Sequence, residues 1–267
     1  ISVWLTDCKT MKIQLLTENA SCGLGWHAEW GFSAHIEYGG ANILFDTGYS
    51  DVWIRNAATA GLDLRSLDMI ALSHFHEDHT RGLLFHPFRE TKRLVCHPRV
   101  LTILAESQDP EAMQDYRNIR AQLQSDFTVQ TSKEPLELAS GAFFLGEIPR
   151  VTSFERGMSF DDPMEDDSAL AFKTDKGAVV IAGCSHAGIC NIAARAKEVT
   201  GQALHAVIGG FHLLKEEDPP VDETIAWFAN EKVARIFPMH CVDFEYLTKF
   251  HAAFDMPKLC AGDVIEI

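Results

Sequence analysis

The sequence predicts an α/β protein whose sheets are flanked by helices, and three observations support this prediction. After residue 178, apolar strand-like segments alternate with helical segments. The strands near residues 180, 206 and 235 are apolar throughout, as expected of strands buried on both faces. Earlier in the chain, short strand-like segments bounded by turns add further sheet.

The first half is predicted to contain four short strands and one helix. The strands are expected at residues 12–16, 33–38, 42–45 and 69–72, with a hairpin turn at YGGAN (38–42). VWIRNAATAG, which follows Ser50 and Asp51, has the start signal of a helix and is expected to end at Gly61.

The second half is predicted to follow a strand–helix–strand order. Strands are expected at residues 178–183, 204–210 and 233–237, and helices at 188–201, 221–232 and 243–254. The stretch of about 84–165 is less regular. We therefore expect one domain over residues 1–267, with an irregular and helical insertion at about 84–165 that caps the site.

Charge and composition narrow the range of functions. A net charge of −15 argues against a nucleic-acid partner, which needs a basic surface, but is compatible with an anionic small-molecule substrate. Seven cysteines without a Cys-x-x-Cys pair indicate reduced thiols and a cytoplasmic protein. We expect no membrane association, because no apolar run reaches the length of a span and the first residues lack the pattern of a signal peptide. The sequence leaves open whether the protein forms a homo-oligomer.

Polar side chains recur where the predicted strands end. In open α/β sheets, ligands bind outside the carboxyl ends of strands, so this recurrence predicts a functional site there. The residues are Asp46, His74, His76, Asp78, His79, Cys184, His186, His212 and His240.

The stretch LSHFHEDHTRG (72–82) has the composition of a metal-binding loop. Two histidines two positions apart on an extended segment point to one side and can share a metal, and the Asp-His pair that follows can supply more ligands. Imidazole and carboxylate suit zinc, manganese or iron.

These motifs resemble the metallo-β-lactamase superfamily of metal-dependent hydrolases. The stretches TENAS, ILFDTGYS, LSHFHEDHTRG, AGCSHAGICNI, IGGFHL and PMHC resemble the branch named for a dihydropterin-ribofuranosylaminobenzene-phosphate synthase. The resemblance spans residues 12 to 260. It implies a four-layer αββα sandwich, with two mixed sheets face to face, helices outside and the metal site at one edge.

The resemblance also implies a set of metal ligands. Four residues match the first motif of the superfamily and one matches its last histidine: His74, His76, Asp78, His79 and His240. The middle of this sequence differs from the superfamily pattern, because Cys184 stands where the superfamily usually has an aspartate that bridges two metals. His186 is then the candidate for the missing histidine ligand. Cys184 is either a further ligand or a buried structural cysteine. Two zinc ions are expected, with manganese or iron as alternatives and one metal left open.

The other candidates are assigned by position. His212 is interpreted as a substrate-binding or acid group, with a core histidine as the alternative, and Asp46 as a carboxylate that orients a ligand histidine. The acidic stretch at 161–167 is interpreted as a solvated loop, with Asp162 or Asp167 in the pocket wall as the alternative. The segment from Ser185 to residue 189 begins a predicted helix. We expect either a phosphate or carboxylate of the substrate there, or a helix start capped only by Ser185 or water.

The chemistry expected of such a site is hydrolysis or a related displacement. A metal lowers the pKa of water and polarises a carbonyl or phosphoryl oxygen, and Asp78 would serve both as ligand and as proton acceptor. The leading hypothesis is a metal-dependent hydrolase or synthase acting on a phosphorylated or heterocyclic, pterin-linked small molecule. The alternatives are a phosphodiesterase or lactonase of the same fold, and a non-catalytic metal- or ligand-binding sensor.

Overall fold

The strands form two sheets in the computed structural model, which describes residues 10–103, 110–155, 157–158 and 162–267. Strands are numbered in chain order. Within the described residues, the first sheet has seven strands: β1 (Met11–Thr17), β2 (Ser33–Tyr38), β3 (Ala41–Phe45), β4 (Met69–Ala71), β5 (Lys92–Cys96), β6 (Phe127–Thr131) and β13 (Val264–Glu266). The second has six: β7 (Leu136–Ala139), β8 (Ala142–Phe144), β9 (Ala169–Thr174), β10 (Gly177–Ala182), β11 (Leu204–Gly210) and β12 (Arg235–Met239).

Both sheets are mixed. The first has the order β13-β1-β2-β3-β4-β5-β6, antiparallel up to β3 and parallel from β3 to β6. The second has the order β12-β11-β10-β9-β8-β7, in which β10, β11 and β12 are parallel and the rest antiparallel. The predicted mixed sheets are therefore confirmed.

Three apolar clusters define four layers. One lies between the sheets and takes side chains from both, among them Ile36, Phe45, Phe172 and Ile208. A second covers the outer face of the six-stranded sheet and a third that of the seven-stranded sheet, each with helices packed over it. Burial of these faces explains the αββα sandwich, because each sheet gains apolar contact on both sides.

Helices are present with nearly the expected bounds at each of the four places where the sequence predicts one, residues 52–61, 188–201, 221–232 and 243–254. Seven lie within the described residues: α1 (Val52–Thr59), α2 (Glu77–Thr80), α3 (Pro98–Ile103), α4 (Pro110–Asp126), α5 (Ile189–Thr200), α6 (Val221–Glu231) and α7 (Phe244–Phe254). α5 ends at Gly201, whose left-handed φ of 66° is the expected glycine stop. None of the helices in the described ranges is long and apolar enough to cross a membrane.

Residues 84–165 differ from the irregular stretch expected from the sequence. They supply β5 and β6 to one sheet and β7 and β8 to the other. These strands are short or strongly polar on one face, so their apolar alternation is weak in the sequence. Residues 104–109 of this stretch lie outside the described residues.

The two sheets bring their strand ends to one edge. The loops after β3 and β4 in the first sheet meet the loops after β10, β11 and β12 in the second, as ring contacts between His74 and His186 and between His79 and His240 show. Parallel neighbours put their carboxyl ends on the same side, so each loop delivers its polar residues to a common place.

The alternation of β8 gives a test of the core. Phe144 is buried between the sheets, whereas the ring of Phe143 faces outward with Lys173 Nζ 5.6 Å from its centroid. We expect Phe144→Ala to lower the free energy of unfolding by about 3–5 kcal/mol, because it leaves a cavity. Phe143→Ala should cost clearly less in the same denaturant titration. Equal losses would contradict the sandwich arrangement.

Candidate metal centre

Three predicted ligand histidines form one group. The ring centroids of His74, His76 and His186 lie 4.7 to 4.9 Å apart. His74 Nε2 and His76 Nδ1 are separated by 3.0 Å. Two nitrogens bound to one tetrahedral zinc at its usual bond length lie ~3.3 Å apart, so this spacing suits a shared metal. The loop after β10 therefore brings His186 to the motif that follows β4.

The other three predicted ligands form a second group beside the first. Asp78 Oδ2 lies 3.1 Å from His240 Nε2 and 3.7 Å from His79 Nε2. The rings of His79 and His240 are 5.1 Å apart. His79 also contacts His74, with centroids 4.2 Å apart, so the two groups adjoin.

Cys184 lies between the groups. Its Sγ is within 4.8 Å of ligand atoms of His74 and His186, and equally of ligand atoms of His79 and His240. A third set within the same limit joins Cys184 to His212 and Cys241. The cysteine that replaces the usual bridging aspartate is thus the member shared by all three sets.

A buried carboxylate holds the first loop in place. Asp46, fully buried after β3, accepts hydrogen bonds from the backbone N–H and the hydroxyl of Ser73, both at 2.7 Å. Its Oδ2 also lies 2.7 Å from His79 Nδ1, and Ser73 Oγ lies 2.8 Å from His74 Nδ1. Asp46 therefore contacts His79 directly and His74 through Ser73, which is the arrangement expected of a carboxylate that orients candidate ligands. Gly183 packs against this network, since a Cβ there would lie 2.1 Å from Ser73 Oγ.

Glu18 and Asn19, which directly follow β1, form hydrogen bonds with His240. Asn19 Nδ2 donates to the carbonyl of His240 at 2.9 Å, which turns Asn19 Oδ1 towards the ring, 3.0 Å from His240 Nδ1. His240 Nδ1 is then the protonated nitrogen, and Nε2 carries the lone pair. Glu18 Oε1 accepts the backbone N–H of His240 at 3.0 Å. Such outer contacts fix the tautomer of a metal-binding imidazole.

The donor atoms fit a divalent metal. Both ring nitrogens of buried His186 and Nε2 of buried His79 have no hydrogen-bond partner, and Nε2 of His240 faces the carboxylate of Asp78. Buried polar atoms are almost always paired, so these neighbouring nitrogens are the atoms to which a cation would bind. Imidazoles with one carboxylate and one thiol are a normal donor set for zinc.

Electrostatics keep most of these imidazoles neutral. Burial lowers the pKa of His74 and His186 well below the ordinary value and that of His76 to about 4. Burial also acts on His79, but the carboxylates of Asp78 and Asp46 outweigh it and raise its pKa to about 9. A metal at His79 Nε2 would take the place of that proton.

For Asp78, the neighbouring histidines outweigh burial and lower the pKa. Burial raises it, yet the charge of His79 and the contact with His240 leave the pKa well below its ordinary value. Asp78 is therefore a carboxylate at neutral pH and available as a ligand or proton acceptor.

The backbone at this edge is strained. Asp46, Ser185, His212 and His240 have positive φ angles of 56°, 66°, 49° and 53°. Non-glycine residues with positive φ are uncommon and cluster at functional sites. Each of the four lies just after a strand end, where the turn directs side chains back over the edge of the sheet.

The acidic loop before β9 ties the ligand loops together. Asp166 Oδ2 accepts the backbone N–H of Phe75 at 2.9 Å, and Asp167 Oδ2 accepts that of Ala187 at 2.7 Å. Burial raises the pKa of Asp166 to about 6 and that of Asp167 to about 7. Asp162 forms two hydrogen bonds with Arg99, at 2.8 and 2.9 Å. Asp162 and Asp167 thus have partners within the protein.

The amino terminus of α5 differs from the expected anion site. The N–H groups of Cys190 and Asn191 donate to the carboxylate of Glu155 at 2.8 and 2.9 Å. Ser185 Oγ donates to the carbonyl of Gly210. This helix end already has an anion, supplied by the chain itself.

A cavity of about 550 Å³ adjoins the histidines. His186 and His212 form its inner wall, and their ring centroids are 4.0 Å apart. A volume of this size is typical of small-molecule sites. The predicted position of His212 at the pocket is consistent with this geometry.

Several residues that shape the site were not singled out from the sequence. They are Glu18, Asn19, Ser73, Arg99, Glu155, Asp166 and Cys241. Cys241 directly follows a predicted ligand, and Ser73 directly precedes one, so adjacency to a ligand was a usable signal. Glu155 and Arg99 gave no such signal, because each contacts residues that are far away in the sequence.

Comparisons with known proteins agree with this fold and with its family resemblance. A β-lactamase superfamily domain model matches residues 41–182. The 7,8-dihydropterin-6-methyl-4-(β-D-ribofuranosyl)-aminobenzene-5'-phosphate synthase of Methanocaldococcus jannaschii is 31% identical over 249 residues, 84% of each chain. The crystal structure of Tm1679, described as a metal-dependent hydrolase of the β-lactamase superfamily, is 29% identical with a TM-score of 0.78 and covers 96% of this chain and 99% of that one. Zn²⁺-bound PqqB from Methylobacterium extorquens, 13% identical, has a TM-score of 0.61 and covers 96% of this chain and 100% of that one.

The role of Asp46 can be tested through metal affinity. Asp46→Asn removes the charge that holds Ser73 and His79 but keeps the size of the side chain. We expect metal affinity to fall by about 10–100-fold, since outer contacts orient the ligands. Competition with a chromophoric chelator measures this, with exposed Asp222→Asn as the control. Unchanged affinity would refute the orienting role.

Proposed function

Since this chain belongs to the β-lactamase superfamily, we propose that it is a metal-dependent hydrolase or a related synthase. Its substrate is a phosphorylated or heterocyclic small molecule. The observation that carries the proposal is the pair of adjoining donor sets, one of histidines after β4 and β10, the other of Asp78, His79 and His240.

We propose that these sets hold two metals, with zinc as the first choice. His74, His76 and His186 would hold one, and Asp78, His79 and His240 the other. The position of Cys184 in both sets supports its thiolate as a further ligand. When bound, a divalent metal lowers the pKa of water and polarises a carbonyl or phosphoryl oxygen.

The chain's own residues would move protons and position the substrate. Asp78, ionised at neutral pH, is placed to accept a proton within the donor set. His212, half-buried at the wall of the cavity beside His186, would donate a proton to the leaving group. Asp46 and Asn19 keep the ligand imidazoles from rotating.

The lining of the cavity bears on how an anionic substrate would bind. Among the described residues that line it, three are acidic (Glu155, Glu216 and Asp218) and none is Lys or Arg. A phosphate would therefore be bound by the metals and histidines, with the rest of the substrate in the cavity.

A pterin-linked compound is the first substrate to test, because the 31% identical relative is named for one. An exposed aromatic side chain supports a flat ring: Trp30 is 55% exposed, and its ring lies 5.2 Å from that of His240. Aromatic rings stack well on planar heterocycles, and this indole is free to do so.

Removal of one ligand tests the metal and the enzyme together. His74→Ala should lose bound metal and all turnover on a panel of phosphodiesters, phosphomonoesters, lactones and thioesters. Exposed His27→Ala should change neither. Elemental analysis and the same assays measure both. Turnover retained by His74→Ala would overturn the proposal, and metal-loaded protein inactive on the whole panel would favour a sensor.

His212 is tested by a change that leaves the ligands of the two proposed metals in place. His212→Gln should lower kcat by about 10²–10⁴-fold, the range for loss of a proton donor. Metal content should stay the same. His205→Gln, within strand β11, which His212 follows, is the control. Loss of metal in His212→Gln would instead place this residue among the ligands.

A further inference from the structure

Two buried thiols meet at the metal centre. Cys184 Sγ and Cys241 Sγ are 3.0 Å apart, and the two residues are 4% and 1% exposed. Cys184 follows β10 and Cys241 follows β12, so the thiols come from loops separated in the sheet by β11. Strands that are not neighbours do not normally bring side chains into contact.

A glycine makes this approach possible. A Cβ on Gly210, at the end of β11, would lie 2.9 Å from Cys241 Sγ and 3.0 Å from the Cα of Cys184. The missing side chain leaves the space in which the thiols converge.

Backbone groups fix the direction of the Cys241 thiol. The N–H of His212 donates to Cys241 Sγ at 3.3 Å, and the thiol donates to the carbonyl of Cys184 at 3.4 Å. The sulfur is thus held against Cys184. A disulfide needs the sulfurs to approach by only about 1 Å more.

We propose that Cys184 and Cys241 form a redox pair, oxidised by a peroxide to a disulfide when the metal centre is empty. One thiolate attacks the O–O bond and becomes a sulfenic acid as hydroxide leaves. The second thiolate displaces the sulfenic oxygen, which leaves as water, and the S–S bond forms. Two thiols lose two electrons and two protons, and one hydrogen peroxide becomes two waters.

The cavity beside the histidines gives a small oxidant a path. Ser185 and His212 line it, the first adjacent to Cys184 and the second in contact with Cys241. A molecule the size of peroxide therefore needs no unfolding to come close to the pair.

The disulfide would also lower metal binding, and this part rests on the proposed function. Cys184 belongs to all three candidate donor sets, so its sulfur cannot serve both the disulfide and a metal as thiolate. Oxidation would lower metal affinity, and bound metal would protect the thiols.

The test uses the full chain, reduced and freed of metal with a chelator. Treatment with hydrogen peroxide, alkylation and mass spectrometry of non-reduced peptides should find Cys184 linked to Cys241. A reductant should restore both thiols. Cys241→Ser should abolish the link, and Cys190→Ser, which removes another buried cysteine, should not. Sulfinic acid at either position without a link, or two thiols that remain alkylatable, would overturn the proposal.

A second measurement tests the coupling to metal. Zinc-loaded protein should form the link at least roughly tenfold more slowly than the metal-free protein. The oxidised protein should bind zinc at least about tenfold more weakly than the reduced protein. Equal rates and affinities would refute the coupling. Neither readout uses turnover, so a protein that forms the link but hydrolyses nothing would fail only the proposed function.

Discussion

The hydrogen bonds of the buried Asp46 carboxylate are the interaction on which the arrangement of the candidate metal ligands depends. Asp46 is fully buried after β3, and its two oxygens hold the backbone and hydroxyl of Ser73 and the ring of His79. A buried charge is costly unless each oxygen has a partner, and here the partners are the groups that must be oriented. Through Ser73 the same carboxylate reaches His74. One charge thus determines the tautomers of two candidate ligands.

The second sheet meets this network by close packing. Gly183 faces Ser73 and Asp46 at a distance that admits no side chain. The polypeptide then turns at Ser185, in a left-handed conformation, and presents His186 to His74 and His76. Strain of this kind persists only where the surrounding contacts compensate for it. Here the compensation includes the bond from Ser185 to Gly210 and the bond from Ala187 to Asp167.

Charge within the chain also restricts what the site can bind. The amino terminus of α5 would attract an anion, but Glu155 already occupies it. Arg99, which could otherwise attract a phosphate, is paired with Asp162 and Asp166. These contacts give both the helix end and Arg99 a charged partner within the protein.

Much of the fold and of the donor set is determined by the sequence alone. Several of these features are local sequence patterns, and local patterns can be recognised without knowing the tertiary structure. They are the apolar strands after residue 178, the glycine that ends α5 and the polar residues at strand ends. The spacing of His74, His76, Asp78 and His79 is likewise a property of one loop. The positions of β5 to β8 were not predictable, because their pairing partners, and not their own residues, make them strands.

Only the tertiary structure decided how distant residues combine. Asn19 selects the tautomer of His240, although the two residues are 221 positions apart in the sequence. Glu155 accepts a hydrogen bond from the amino terminus of α5, where the sequence showed no partner. The contact of Cys184 with Cys241 depends on the empty space at Gly210 on a third strand. Such contacts have no local signature, because each is fixed by which strand ends the two sheets bring to the same edge.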